Sequence, residues 1–261
     1  MRHDFPTASL WQEGIFETMR SEKRKIVALE QHLDRLFASA HSIALSLGPS
    51  RGTLKRLLEK EIASKSYPNA SIRIAFLREG KKSRFFLIVK EAKRYPPSLY
   101  EKGVSIQTSP TRRNAISAMD AQIKGRDCLN GLLSTLDGRE GEAVEEIYLD
   151  SRGYVTEGRI SNIFMVKDGV LFTPPTFLGV LRGITRDQVI QEARGLHVSV
   201  REEPFTRFNL YGADGVFLTN TSMGVMPVVS VDGRKIGDGK VERMTTQLMK
   251  VFKVKKGSGD A

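Results

Sequence analysis

The chain has 261 residues, of which 40% are hydrophobic and 27% charged, a globular composition sufficient for one large or two modest domains with a buried core. Its 23 glycines and 10 prolines are spread along the chain, and the longest apolar runs have only a few residues, so disordered, fibrous and membrane-spanning classes are excluded. Lysine and arginine (41) outnumber aspartate and glutamate (30), and the net charge of +11 favours anionic partners such as phosphorylated cofactors, acidic substrates or nucleic acid.

The first part of the chain has the pattern of two helices followed by strands. Apolar residues at three- and four-residue steps predict an amphipathic helix over 28–47, ended by Gly48-Pro49. Ser50 is placed to cap a second helix, whose predicted inward residues are Leu54, Leu57, Leu58 and Ile62. Extended apolar runs then predict strands at Ile72–Phe76, Phe85–Val89 and Val104–Ile106. A small α+β domain is therefore expected over residues 1–108.

Residues 107–114 are rich in Ser, Thr, Pro and Asn, which is typical of a linker, so the domain boundary is placed there. The larger domain, 115–261, is predicted to open with a helix over about 126–136 and to continue with short strands at close spacing. Asp168-Gly169 between two apolar runs predicts a hairpin, and a further helix is predicted after Gly183. Because strands outnumber crossover helices, the predicted architecture is a mixed or barrel-like sheet rather than a doubly wound one.

The common catalytic signatures of metal and nucleotide enzymes are absent from the sequence. The four histidines stand beside no cysteine or carboxylate at metal-ligand spacing, and no Walker loop, GxGxxG or GxSxG motif occurs. No metal site is therefore expected. The basic clusters, including Arg112-Arg113, are interpreted as solvated surface, so no nucleic-acid partner is expected; nucleic-acid binding stays an alternative based on charge alone. A phosphate-bearing organic cofactor would suit both the charge and the missing motifs.

Three segments of the larger domain together carry the groups that pyridoxal 5'-phosphate requires. Such a cofactor needs a lysine to bind it covalently, a carboxylate to keep its ring nitrogen protonated, and a helix N-terminus to receive its phosphate. Lys124, Glu157 and Thr185 are the candidates for these three roles, in that order.

The order and wording of several motifs indicate a family. The strings are GIFETMR, HLDRLFASA, KGRDCLN, EGRISNIF, DGVLFTPP, GITR and FLTNTSMGVMPV, and they span about residues 14–236. Together they closely resemble the class IV pyridoxal-phosphate enzymes of fold type IV. The resemblance implies a two-domain α+β fold like that of D-amino-acid aminotransferase, a bound pyridoxal 5'-phosphate and a homodimer.

Carried over position by position, the resemblance implies roles for individual residues. Lys124 binds the cofactor covalently and later shuttles a proton, and Glu157 pairs with the ring nitrogen. The phosphate is contacted by Arg35, Ile184, Thr185, Thr221 and Ser222. An arginine with helix-terminal donors is a suitable partner for a dianionic phosphate.

The substrate side of the motifs resembles the lyases of this family. Thr18 in FETMR stands where the lyases resemble this chain, and its hydroxyl could protonate the departing group together with Lys124. The activity expected is elimination of pyruvate from 4-amino-4-deoxychorismate to give 4-aminobenzoate, a step toward folate, with Lys124, Thr18 and Glu157 as catalytic residues. The alternative is a class IV aminotransferase acting on branched-chain or D-amino acids. The short connection REGKKSR counts against D-amino acids, and Arg73 and Arg20 are candidate contacts for the substrate carboxylate.

The location expected from the sequence is the cytoplasm. The N-terminal residues lack the apolar segment of a secretory signal, and the single cysteine, Cys128, cannot form an internal disulfide. The expected partners are a small anionic substrate and a second copy of the chain, without membrane.

Overall fold

The computed structural model describes residues 13–92, 95–125 and 143–257, with side chains up to residue 252. The chain divides into two compact units, Met1–Lys93 with Ile123–Asp127, and Arg94–Gln122 with Cys128–Ala261. This division differs from the predicted ranges 1–108 and 115–261, because residues 94–108 lie with the second unit and a short segment around Lys124 lies with the first.

The first unit is an antiparallel sheet with two helices. Its four strands have the spatial order β2-β1-β3-β4. Their bounds are Gly14–Glu22 for β1, Lys25–Ile26 for β2, Ala70–Glu79 for β3 and Lys82–Glu91 for β4. The helices are α1, Leu29–Ser42, and α2, Arg51–Ala63.

The two faces of this sheet differ in burial. Alternation along β1 buries Ile15 and Met19 on the face that packs with Leu33 and Leu36 of α1. Phe16, Thr18 and Arg20 occupy the opposite, half-buried face. Thr18 is directly opposite Arg73 of β3 in the strand register. The less buried face therefore carries both polar and charged side chains.

The helix predictions hold with two corrections. Ser50 caps α2, since its Oγ accepts a hydrogen bond from the Thr53 N–H at 3.2 Å. Leu57, predicted to face inward, is 40% exposed. α1 ends at Ser42 rather than Leu47, and Ala44 follows in the left-handed region at φ 48°. Leu47 is still buried. The apolar spacing therefore predicted burial correctly, but the predicted helix was too long.

The second unit is built on a nine-stranded sheet. The spatial order is β10-β9-β8-β11-β12-β5-β6-β7, with β13 on β12. The strands are β5 Val104–Arg112, β6 Glu145–Leu149, β7 Val155–Gly158, β8 Asn162–Lys167, β9 Val170–Thr173, β10 Val200–Glu202, β11 Gly215–Asn220, β12 Gly224–Val231 and β13 Arg234–Lys235. The helices described are α3 Pro97–Lys102, α4 Ile184–Gly195, α5 Arg207–Tyr211 and α6 Arg243–Gly257. Parallel pairs (β10/β9, β12/β5, β5/β6) occur beside antiparallel ones, which confirms the mixed sheet.

The hairpin prediction is confirmed. Lys167 pairs with Val170 across the turn, and Asp168 and Gly169 both have positive φ, 48° and 73°. Two consecutive positive φ values are the geometry of a type I′ turn. The helix after Gly183 is also confirmed as α4, whereas the helix predicted over 126–136 lies outside the described residues.

The linker prediction is wrong for residues 107–112, which form the second half of β5. β5 pairs in parallel with β6 and β12, so its hydrogen-bond partners come from distant parts of the chain. The Thr108 N–H and hydroxyl both donate to the Asp232 carboxylate, the former at 2.6 Å. Polar residues can thus form hydrogen bonds within a sheet, so a strand can have the same composition as a linker.

Glu17 is a fully buried carboxylate on the inward face of β1. Its Oε1 accepts a hydrogen bond from Arg35 Nε at 2.6 Å, and its Oε2 accepts from Arg35 Nη2 at 2.8 Å. His32 Nδ1 lies 2.8 Å from the same Oε2. Burial alone would raise the pKa of the Glu17 carboxyl, but the hydrogen bonds and charges of Arg35 and His32 together outweigh burial and lower it to about 2. Burial lowers the pKa of His32 against the opposing effect of the carboxylate.

The lowered pKa of the Glu17 carboxyl predicts how the free energy of unfolding changes at acid pH. A carboxyl whose pKa falls from 4.5 to about 2 on folding stabilises the fold fully above pH 4.5, and this stabilisation is lost as the pH falls through about 2. At about 1.36 kcal/mol for each pKa unit, the contribution is roughly 3 kcal/mol. Urea unfolding between pH 6 and pH 2 should show a steeper loss of unfolding free energy for the wild type than for Glu17→Gln. Glu59→Gln, an exposed change on α2, is the control and should follow the wild type. Equal slopes for the wild type and Glu17→Gln would show that the contacts of Glu17 with Arg35 and His32 do not stabilise the fold in this way.

Candidate active site

Lys124 is held against β1 and α1 by its backbone. The Phe16 N–H donates to the Lys124 carbonyl at 3.1 Å, and the Lys124 N–H lies 3.3 Å from the Ser39 Oγ on α1. The next residue, Gly125, forms an isolated antiparallel bridge with Ile15. The short segment thus extends the β1 edge of the first sheet, and its position is set by strand pairing rather than by a helix.

The Phe16 ring brings Lys124 to the half-buried face of the first sheet. The Lys124 Nζ lies 5.0 Å from the ring centroid, and the Arg73 guanidinium carbon lies 5.9 Å from the same centroid. Thr18 is the strand neighbour of Arg73 in the register. Four residues that carry a lysine amine, an aromatic face, a hydroxyl and a guanidinium are therefore grouped on one face. This arrangement can receive a small anionic molecule.

The other two predicted residues of the first unit have ion-pair partners. Arg20 lies two residues beyond Thr18 on the same face of β1, and its Nη1 is 3.1 Å from Glu22 Oε1. Arg35, predicted to contact the phosphate, is oriented by Glu17 through the two hydrogen bonds described above. The buried acid that fixes Arg35 was not identified from the sequence, although Glu17 and Arg35 both lie in the matched motifs.

In the second unit, Glu157 is at the end of β7 and is 6% exposed. Its Oε1 is 2.7 Å from Arg113 Nη2. Its Oε2 accepts hydrogen bonds from the Leu181 N–H at 3.0 Å and from Asn162 Nδ2 at 3.2 Å. From the sequence, Glu157 was predicted as a site residue, but Arg113 was placed on the solvated surface. No motif in the chain marks Arg113 as the partner of Glu157.

The same side chains fix the segment that leads into α4. Arg113 Nε donates to the Gly179 carbonyl at 3.0 Å, and Asn162 Nδ2 donates to the Leu181 carbonyl at 2.8 Å. Gln122 donates to the Val180 carbonyl at 2.7 Å and accepts from the Arg182 N–H at 3.1 Å. The path of the chain before Gly183 is therefore determined by polar contacts to its backbone.

The N-terminus of α4 is suited to an anion. Gly183 is the N-cap residue and makes no side-chain cap bond, and the first intrahelical bond runs from the Asp187 N–H to the Gly183 carbonyl at 2.9 Å. The amides of Ile184 and Thr185 precede that bond, so they have no acceptor within the helix. A Cβ added at Gly183 would meet the Asn162 Oδ1 at 2.0 Å, so only glycine allows this close approach.

Thr221 and Ser222 form the turn between β11 and β12. Asn220 Oδ1 accepts hydrogen bonds from the amides of Ser222 and Met223, both at 2.8 Å, which fixes the turn. Thr221 is half-buried and Ser222 exposed. One residue before Asn220, the buried Thr219 Oγ1 has no hydrogen-bond partner within the described part of the chain.

These residues fit pyridoxal 5'-phosphate by their chemistry. Lys124 supplies the amine, and Glu157 supplies a buried carboxylate with a cationic neighbour. The uncapped start of α4, with the hydroxyls of Thr185 and Thr221, supplies donors for a phosphate. Lys124, Thr18, Arg73, Arg20 and Arg35 belong to the first unit, and Glu157, Ile184, Thr185, Thr221 and Ser222 to the second.

Within residues 13–92, 95–125 and 143–257, no three His, Cys, Asp or Glu side chains are grouped closely enough to hold a metal ion. Among the helices that the structure describes, none combines the length and the apolar character needed to span a membrane.

Comparison with known proteins assigns the family. Residues 14–231 match the family model for amino-transferase class IV. A Methanocaldococcus jannaschii protein provisionally named a branched-chain-amino-acid aminotransferase is 32% identical over 260 residues, covering 95% of this chain and 89% of that protein.

Solved structures give the same result. The branched-chain amino acid aminotransferase of Escherichia coli has a TM-score of 0.84 at 29% identity, covering 92% of this chain and 84% of its own. The T.th. enzyme of the same name, solved with pyridoxamine 5'-phosphate, has a TM-score of 0.87 at 28% identity, covering 93% and 85%. The relatives are aminotransferases, so they favour the alternative prediction over the lyase. The chain belongs to the class IV aminotransferases, the pyridoxal-phosphate-dependent enzymes of fold type IV.

Proposed function

We propose that this protein is an aminotransferase that moves the amino group of a branched-chain amino acid to a 2-oxo acid. The observation that carries the proposal is the group formed by Lys124, Phe16, Thr18 and Arg73 on the half-buried face of the first sheet. It offers an amine, an aromatic surface and the exposed guanidinium of Arg73, which match the amino group, the side chain and the carboxylate of an apolar amino acid. The names of the relatives support the same substrate class.

Each residue of the proposed site has its own role in the reaction. When bound, the cofactor supplies the electron sink that makes the α-proton of the amino acid acidic. Lys124 binds the cofactor covalently in the resting enzyme and then moves the proton with its freed amine. Glu157 holds the proton on the ring nitrogen. The phosphate is held by Arg35 and by the donors at Ile184, Thr185, Thr221 and Ser222.

The substrate contacts in the proposal lie on β1 and β3. Arg73 binds the substrate carboxylate beside the Thr18 hydroxyl. Arg20 remains a second candidate, and its Nη1 is already paired with Glu22 Oε1. We further propose a homodimer in the cytoplasm. The family resemblance supports the homodimer, and the single cysteine, Cys128, supports a reducing compartment.

The lyase remains a second candidate because Thr18 supplies a hydroxyl close to Arg73 in the register. Elimination and transamination leave the cofactor in different states after one turnover. A lyase regains its starting form without help, whereas an aminotransferase needs a 2-oxo acid to accept the amino group. This difference separates the two activities without any knowledge of the natural substrate.

The second prediction follows from that difference. With leucine, isoleucine or valine, the enzyme should turn over repeatedly only when a 2-oxo acid is added, and should stop after one equivalent without it. Thr18→Val keeps the shape of the side chain and removes the hydroxyl, so transamination should change little. Repeated release of pyruvate and 4-aminobenzoate from 4-amino-4-deoxychorismate without a 2-oxo acid, with loss in Thr18→Val, would establish the lyase instead.

The third prediction concerns Glu157. A neutral amide cannot keep the ring nitrogen protonated, so Glu157→Gln should bind the cofactor and lose about two orders of magnitude or more in rate, roughly 3 kcal/mol of barrier. Glu146→Gln is the matched control, since Glu146 is half-buried on β6 and accepts a hydrogen bond from Gln107 at 2.8 Å. Cofactor content by absorbance and turnover by coupled assay give the two readouts. A rate near that of the wild type in Glu157→Gln would show that the carboxylate is structural.

A further inference from the structure

The two adjacent arginines at the end of β5 have different environments. Arg112 is exposed, whereas the Arg113 side chain is only 20% exposed. The Arg113 N–H donates to the Leu149 carbonyl at 2.9 Å, so its backbone continues the pairing of β5 with β6. Alternation along the strand then sends neighbouring side chains in opposite directions. Arg113 is the one that enters the protein.

The Arg113 guanidinium bridges two separate segments. Its Nη2 reaches Glu157 Oε1 at 2.7 Å and its Nε reaches the Gly179 carbonyl at 3.0 Å. Gly179 has φ 78°, and a Cβ there would lie 3.0 Å from the Asn114 carbonyl oxygen. Residue 179 therefore favours glycine, and its carbonyl is the acceptor for the arginine. Because the guanidinium is planar, two anchors fix the direction of its remaining donors.

A guanidinium beside a carboxylate bears on which of two hydrogen-bonded groups keeps a shared proton. The donors to Oε2 from Leu181 and Asn162 are neutral, while Arg113 carries a permanent positive charge. A cation at hydrogen-bonding distance lowers the proton affinity of a carboxylate by about tenfold to a thousandfold. In a hydrogen bond between Glu157 and a ring nitrogen, the proton rests on the group of higher affinity. A less basic carboxylate leaves that proton on the nitrogen.

We propose that Arg113 is a positioning residue for Glu157, which orients the carboxylate and keeps the shared proton on the cofactor's ring nitrogen rather than on Glu157. The inference rests on the proposed function, because it assumes that Glu157 pairs with that nitrogen. Through Gly179, Arg113 also ties the carboxylate to the segment that precedes α4. Arg113 acts through Glu157 and contacts neither substrate nor cofactor.

The test places a spectroscopic label on the atom in question. Apoprotein is loaded with pyridoxal 5'-phosphate labelled with 15N in the ring, and the nitrogen chemical shift reports its protonation directly. The wild type should show a protonated nitrogen. Arg113→Met should move the proton distribution toward the unprotonated form by about tenfold or more. Arg113→Lys should restore the protonated form because it restores the charge.

Matched variants distinguish this role from a structural one. Arg112→Met, next to Arg113 and exposed, should keep the wild-type shift. Arg113→Gln retains a donor and removes the charge, so it should resemble Arg113→Met, and it decides the test if Arg113→Met does not fold. A residue with a purely structural role would lower the melting temperature of the apoprotein and leave the nitrogen shift unchanged.

Different results would overturn the role proposed for Arg113 and the role proposed for Glu157. A protonated nitrogen in Arg113→Gln or Arg113→Met, together with an unprotonated nitrogen in Glu157→Gln, would overturn the role of Arg113 and leave that of Glu157 intact. An unprotonated nitrogen in the wild type, or a shift that does not change in Glu157→Gln, would instead overturn the role proposed for Glu157.

Discussion

The cost of burying the Glu157 carboxylate governs the arrangement of the second unit around the candidate site. A carboxylate removed from water must be surrounded by donors, because an unpaired buried charge is highly unfavourable. Here three separate segments supply the donors: Arg113 after β5, Asn162 at the start of β8, and Leu181 before α4. The same contacts fix the backbone that leads into α4 and so determine where the uncapped helix N-terminus begins. One requirement of electrostatics thereby fixes both the carboxylate and the candidate phosphate donors.

The first unit meets the same requirement in a different way. Glu17 is buried on the inward face of β1, and Arg35 and His32 on α1 satisfy it. The pair joins the helix to the strand whose other face carries Phe16 and Thr18. An arginine held by two hydrogen bonds to a buried acid has little rotational freedom, so its orientation is established before any ligand binds. In each unit a buried carboxylate is paired with an arginine, and the family resemblance assigns one member of each pair, Arg35 and Glu157, to cofactor binding.

Local rules predicted the elements whose causes are local. The Asp168-Gly169 hairpin, the Ser50 cap and the helix after Gly183 depend on a few neighbouring residues, and all three are present. The second half of β5 was missed because its partners lie on β6 and β12, far along the chain. The family motifs name Lys124, Glu157 and Thr185 as candidates, but they carry no information on which cation would pair with Glu157. Arg112 and Arg113 are the same residue type, and only the alternation of side chains along the strand decides which of them is buried.

The identity of the lysine that binds the cofactor decides whether the proposed active site is correct. Borohydride reduction of the holoenzyme, followed by digestion and mass spectrometry, should place the pyridoxyl group on Lys124, whose backbone is paired with Phe16. Lys124→Ala should remove the modification and the yellow colour, whereas Lys167→Ala, a change at the half-buried lysine beside Asp214, should leave both. A pyridoxyl group on a different lysine, or on none, would contradict the assignment of Lys124.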